Sequence, residues 1–222
     1  MLGRFEGATD DRSGVAGVRR ADSHVGGLRS KADERRLRLF ACALCRTAWA
    51  ELGEDRSRRA IDLADGPLSE EVRERTAHAA YAAVSDIIHN ARPAPSAELM
   101  SRPAFRAAFY AFFCVSADVG SIDHHFATVE LGWFPPSTQV ALLRDIFGNS
   151  FRPVTFSPSW RTGTAVTLAA RMYESCDFSA LPILADALQD AGCDCAEVLD
   201  HCRGPGPHVR GCWVLDLVLG ME

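Results

Sequence analysis

Six sulfur and imidazole side chains crowd the last quarter of the chain: Cys193, Cys195, His201, Cys202, His208 and Cys212. Thiolate sulfur and imidazole nitrogen are the ligands of tetrahedral zinc, so the segment is a candidate for a structural zinc site. The spacing is that of no standard finger or ribbon, and the ligands must therefore be chosen on geometry. Adjacent residues on a helix point about 100° apart, so His201 and Cys202 do not serve one ion together. The expected set is Cys202, His208 and Cys212, with His208 presented by the stiff loop Gly204-Pro205-Gly206-Pro207 and with Cys42 or Cys45 approaching from the first helix. The opposing reading is plain packing, because a reduced cysteine is a small apolar side chain and among the most buried types.

Other groups carry less pattern. Cys42-Ala43-Leu44-Cys45 is spelled like a redox dithiol. Such a pair places its first cysteine at a helix N-terminus, where the dipole lowers its pKa, whereas Cys42 lies inside a helical period. His201, Arg203 and Arg210 flank the Gly-Pro loop as candidate ligand-binding residues, since guanidinium groups hold phosphate or carboxylate by forked hydrogen bonds. The same arginines can cap helix C-termini. Asp123-His124-His125 and the pair Asp86 and His89 have no arrangement that defines a site. The sequence contains no phosphate-binding loop, no Gly-x-Ser-x-Gly elbow and no His-Glu-x-x-His.

These side chains need a scaffold, and 222 residues with 47% hydrophobic composition suffice to bury one without disulfides. The net charge of −5 argues against a nucleic-acid partner, whose non-specific affinity comes from clustered positive charge. No run of 18 apolar residues suggests a membrane span, and Met1–Ser30 lacks the apolar stretch of a signal peptide. A cytoplasmic setting with reduced thiols is expected.

Positions 1–34, rich in Gly, Ser, Asp and Arg, read as a disordered or variable arm. From Arg35 the period is helical, with Leu37, Phe40, Ala41, Leu44 and Ala48 on one stripe and Cys42, Cys45 and Trp49 beside it. Helices are expected over 56–65, from Ser69 to before Pro93, and from Ser101 through the stripe Phe105, Ala108, Phe109, Phe112 and Ser116. Further helices are expected from Ser137 to Phe147, over 163–175, 179–191 and 194–202, and from Cys212 to Leu219. A short extended pairing at Phe151–Val154 is the one candidate for β-structure. The expectation is an all-α fold, a multi-helix bundle or short helical array. It has an N-terminal helical region, 35–130, and a C-terminal block, 137–222, packed on it around one continuous core that brings the first and last motifs together.

Two blocks carry a resemblance. Arg36-Leu37-Arg38-Leu39-Phe40-Ala41-Cys42-Ala43-Leu44-Cys45-Arg46 is the first, and His201-Cys202-Arg203-Gly204-Pro205-Gly206-Pro207-His208-Val209-Arg210-Gly211-Cys212-Trp213-Val214 is the second. Together they closely resemble a family of planctomycete-type bacterial proteins. That family usually has a third cysteine where this chain has Leu44. Leu184–Gly192, continuing through Ala196–Leu199, also looks like the helix-turn-helix of the short repeat-companion modules found in similar proteins, here as a single unit. The resemblance implies no particular activity, cofactor or partner. With no catalytic motif, the sequence reading favours a non-enzymatic helical module that binds a protein partner. A structural zinc protein is the alternative, and a small-ligand or anion-binding protein, or a weak enzyme, at the Gly-Pro loop is the third.

Overall fold

The computed structural model describes residues 34–51, 55–66, 69–90, 109, 114, 134–149 and 152–221. The N-terminal arm, the Asp123-His124-His125 triplet and most of the helix expected from Ser101 lie outside the described residues. What is described belongs to one compact unit, Glu34–Glu222, and the architecture is all-α.

Eight α-helices are seen among the described residues: α1 Glu34–Thr47, α2 Asp55–Ala64, α3 Glu70–Asn90, α4 Pro136–Phe147, α5 Gly163–Ser175, α6 Leu181–Asp190, α7 Ala196–Arg203 and α8 Trp213–Leu219. Local chemistry sets their starts. The Ser69 hydroxyl accepts the Val72 N–H at 3.4 Å ahead of α3, and Thr162 Oγ1 accepts the Ala165 N–H at 3.3 Å ahead of α5, each satisfying a donor that no helical turn can reach. Helix α4 begins before Ser137 because Pro136 occupies its first turn, where a missing N–H costs nothing. Residues 152–157 run without regular structure into the short 3₁₀ turn Pro158–Trp160, and no strand forms among the described residues.

Apolar packing divides into two cores. The first gathers α1, α2, Ala80 of α3, Cys114 and the Leu142 and Ile146 face of α4. Leu39 to Cys45 are all buried, so α1 is covered on every side rather than along one stripe. The second core gathers α5 to α8, with Leu181, Leu184, Ala185 and Leu188 as the inward row of α6. This corrects the expectation of one continuous core: Cys42 is met by the Ile61 carbonyl, and the apolar face of α8 serves the second core.

A seam joins the two cores, and the first and last sequence motifs meet along it. Arg35 of α1 makes a forked pair with Asp216 of α8, at 2.7 and 3.1 Å, and also bonds the Tyr173 hydroxyl of α5. Leu39 lies against Gly211 so closely that a Cβ there would sit 2.8 Å from its Cδ1. Trp213 lies flat on Gly148, at the C-terminal end of α4, with 3.2 Å to the corresponding position. Both glycines also have positive φ, so each is required twice over, by conformation and by space. Between these contacts runs the loop 204–212, whose Val209 packs on the first core while Cys212 is buried in the second.

Candidate metal centre

The seam is where the polar side chains converge. Asp145 sits on the inward face of α4, between Leu142 and Ile146, and is only 2% exposed. Its Oδ2 accepts the Val209 N–H at 2.9 Å, which fixes the carboxylate and leaves Oδ1 facing the C-terminal elements. There Oδ1 meets His208 Nδ1 at 2.7 Å and His201 Nε2 at 3.1 Å. The same His201 Nε2 stands 3.2 Å from Cys212 Sγ, and that thiol is fully buried. One ligand atom from each of Asp145, His201, His208 and Cys212 can be chosen so that all four lie within 4.8 Å of one another.

Each ligand is aimed by its element. Val198, Leu199 and Cys202 turn into the second core, so His201, one residue from Cys202 on α7, points across to α4. Its ring is held against those of Trp213, at 5.2 Å between centroids, and His208, at 5.0 Å. His208 is held from behind, because its Nε2 faces the Gly204 carbonyl at 3.4 Å. With Nε2 turned to that carbonyl, Nδ1 points at the cluster, where it donates to Asp145 and where a metal ion would take the place of its proton.

The electrostatics fit a cation site. Burial opposes ionisation of Asp145, but hydrogen bonds from His201 and His208 and from the Val209 amide outweigh it and hold the carboxyl below its usual range. Burial pulls His208 down while the Asp145 carboxylate and the Gly204 carbonyl pull it further up, and the net shift is upward. Burial, with the field of Asp145, pushes the Cys212 thiol well up. A thiol so placed ionises when a cation replaces its proton.

The arrangement is not a nucleophilic relay. In a Cys-His-Asp relay the thiol and the carboxylate use opposite nitrogens of the imidazole ring. Here both face Nε2 of His201. Four donors grouped around one point are what an ion requires. Tetrahedral zinc, at its ordinary bond lengths, spaces its ligand atoms by about 3.3–3.6 Å. The pairs at 3.1 and 3.2 Å are close to that spacing, the 2.7 Å pair must open by roughly half an ångström, and the remaining pairs, within 4.8 Å, must close by up to roughly an ångström.

Of the residues proposed from sequence, the structure brings His208 and Cys212 into this group. Cys202 lies outside it, in the second core, with its thiol pushed up to about 12 by burial. Cys42 and Cys45 lie in the first core, where Cys45 Sγ is 3.6 Å from Cys114 Sγ and Cys42 faces the Ile61 carbonyl at 3.9 Å. His201, expected as a ligand-binding residue, takes the place proposed for Cys202. Arg203 is engaged by Asp186 and Gln189, both at 2.8 Å. Arg210 donates to the Tyr173 and Glu174 carbonyls at the end of α5, at 2.8 and 3.1 Å, and to the Asp65 carbonyl at 3.4 Å. Arg203 thus ties α7 to side chains of α6, and Arg210 caps the end of α5. His89 is exposed near the end of α3.

Asp145 was missed from sequence, although a signal existed. An aspartate between Leu142 and Ile146 on an inward stripe has to be paired, since carboxylates are almost never fully buried otherwise. No family model, curated protein or solved structure matches the chain. Among the described residues, no helix is long and apolar enough to cross a membrane.

Proposed function

We propose that the protein is a metal-stabilised helical module in which Asp145, His201, His208 and Cys212 bind one zinc-class divalent ion. The observation that supports this reading is the gathering of His201, His208 and Cys212 within 4.8 Å of one another and of a buried oxygen of Asp145, whose Oδ2 already accepts from a backbone amide. A dication balances one carboxylate and one thiolate, leaving a neutral buried centre with two neutral imidazoles. One sulfur, two nitrogens and one oxygen in a compact group suit zinc, whereas magnesium and calcium prefer oxygen alone. Four protein ligands complete a tetrahedron and leave no open position for substrate, so the role is structural. The histidine edges, 17% and 11% exposed, give the ion its way in.

The test is metal content by mass spectrometry on native protein purified without chelator, followed by cobalt(II) replacement. About one equivalent of zinc is expected. The cobalt form should give the visible bands of tetrahedral cobalt and a near-ultraviolet thiolate band, which Cys212→Ser abolishes. Less than a tenth of an equivalent, with no uptake of added zinc or cobalt, would defeat the reading.

A further inference from the structure

Resting on that metal reading, we infer that the ion acts as a clamp between the two hydrophobic cores, so that metal occupancy controls how firmly the first core docks on the C-terminal block. The ligands straddle the seam. Asp145 belongs to α4, whose neighbouring side chains Leu142 and Ile146 are part of the first core. His201 and Cys212 belong to elements of the second core, next to Cys202 and Val214. His208 comes from the loop between them, one residue before Val209, which packs on the first core. An ion bound to all four fixes α4, α7, the loop and the start of α8 at one point.

The remainder of the seam explains why that point matters. Leu39 against Gly211 and Trp213 against Gly148 are each contacts of one side chain on bare backbone. Polar ties accompany them: Arg35 with Asp216 and the Tyr173 hydroxyl, Arg210 with Asp65 at 3.8 Å, and the Val209 amide with Asp145. Each core, by contrast, is held internally by a continuous set of buried apolar side chains. Removing the ion leaves a buried carboxylate and a thiol facing two imidazoles, with less to hold them together than before. The opening that follows runs along the seam, because local unfolding takes the least apolar path.

The chain carries its own reporters. Cys42, Cys45 and Cys114 are buried in the first core, and Cys193 and Cys202 in the second. Site-resolved alkylation of the full-length protein, followed by mass spectrometry with zinc present and after chelation, reads both sides. Chelation should speed labelling of Cys42, Cys45 and Cys114 at least tenfold and expose Cys212, while Cys193 and Cys202 stay slow. Acceleration confined to Cys212 would overturn the clamp and leave the metal site standing. Equal acceleration of all buried thiols would also overturn it, since the ion would then support the whole fold. Absence of metal would sink the proposed function itself, a result read directly from the metal content. A second variant separates occupancy from clamping: zinc-loaded Asp145→Asn should keep metal on the other three ligands yet label its first-core thiols as fast as the chelated wild type. If this variant holds metal and remains fully protected, the clamp is wrong.

Discussion

The two cores use the same residue type in opposite ways. In the first core, Cys42, Cys45 and Cys114 are surrounded by Phe40, Ile61, Leu142 and one another, and their thiols act as small apolar groups whose nearest polar neighbours are a carbonyl and another thiol. At the edge of the second core, Cys212 is just as buried but faces an imidazole, with a carboxylate and a second imidazole close by. The lesson is that burial and spacing do not make a cysteine a ligand. The company of other donors does, and that company is assembled by tertiary contacts between α4 and the C-terminal loop.

Removing one sulfur from each core tests that comparison most severely. Cys212→Ala should reduce bound metal below a tenth of an equivalent. At a thousandfold excess of metal over its dissociation constant the lost linkage is worth about 4 kcal/mol. For a chain of this size that corresponds to a fall in Tm of roughly 8–16 °C. A chelator should lower the wild type similarly and the variant no further, because the two act on one interaction. Cys45→Ala should leave metal content unchanged and cost about 1–2 kcal/mol, the loss of a small buried group and the cavity behind it. Thermal unfolding with metal analysis on both proteins gives the answer, and metal loss in Cys45→Ala would break the distinction.

The second-largest effect is expected at the ionic tie beside the metal site. Asp216 is fully buried, and Arg35→Ala removes the forked guanidinium that meets both of its oxygens. Breaking a buried pair from one side costs several kcal/mol, and Arg35 is partly exposed, so about 3 kcal/mol is expected. Denaturant unfolding measures it. The joint change Arg35→Met with Asp216→Leu should restore most of the loss, because two apolar groups of similar size need no pairing. A double variant no better than Arg35→Ala would show that the tie does more than neutralise Asp216.

Much of the scaffold was legible in the sequence. The stripe of Leu181, Leu184, Ala185 and Leu188 and the start at Ser69 act over a few residues, and they are seen in α6 and α3. The division into two cores was not legible. Which face of α8 meets which neighbour depends on contacts between residues 35 and 216, far apart in sequence. The candidate site was legible by halves for the same reason. His208 and Cys212 stand out by residue type, and the 100° rule separated His201 from Cys202 without saying which of them looks toward α4. Asp145 lies 56 residues before His201. Its only local sign was a charge on an apolar stripe, a sign that Asp216, between Leu215 and Leu217, repeats.

A smaller effect separates the seam from the exterior of the second core. Gly211 and Gly192 have nearly the same φ, +86° and +87°, but a Cβ on Gly211 would meet Leu39 at 2.8 Å while one on Gly192 would meet nothing within 4 Å. Alanine at Gly192 should therefore cost only the left-handed conformation, about 1 kcal/mol. Alanine at Gly211 adds a displacement of Leu39 and should reach roughly 2–3 kcal/mol. Chemical denaturation of the two variants makes the comparison, and equal losses would mean that the seam yields without strain.

The gentlest probe changes no residue. Cys176 is exposed at the end of α5, in a left-handed conformation, and Cys195 is half-buried. Cys202 lies in the apolar interior with its thiol pushed up to about 12, so even when reached it is mostly protonated at pH 8. Alkylation of the native, zinc-loaded protein at pH 8 should therefore label Cys176 first and Cys195 more slowly. Cys42, Cys45, Cys114, Cys193, Cys202 and Cys212 should react only when the chain opens. Metal ligation should make Cys212 slower still than Cys202, because the electrophile must compete with a bound ion as well as with packing. If Cys212 instead labels ahead of Cys202 in the loaded protein, the thiol is not held by metal, and the contrast between the two kinds of buried cysteine disappears.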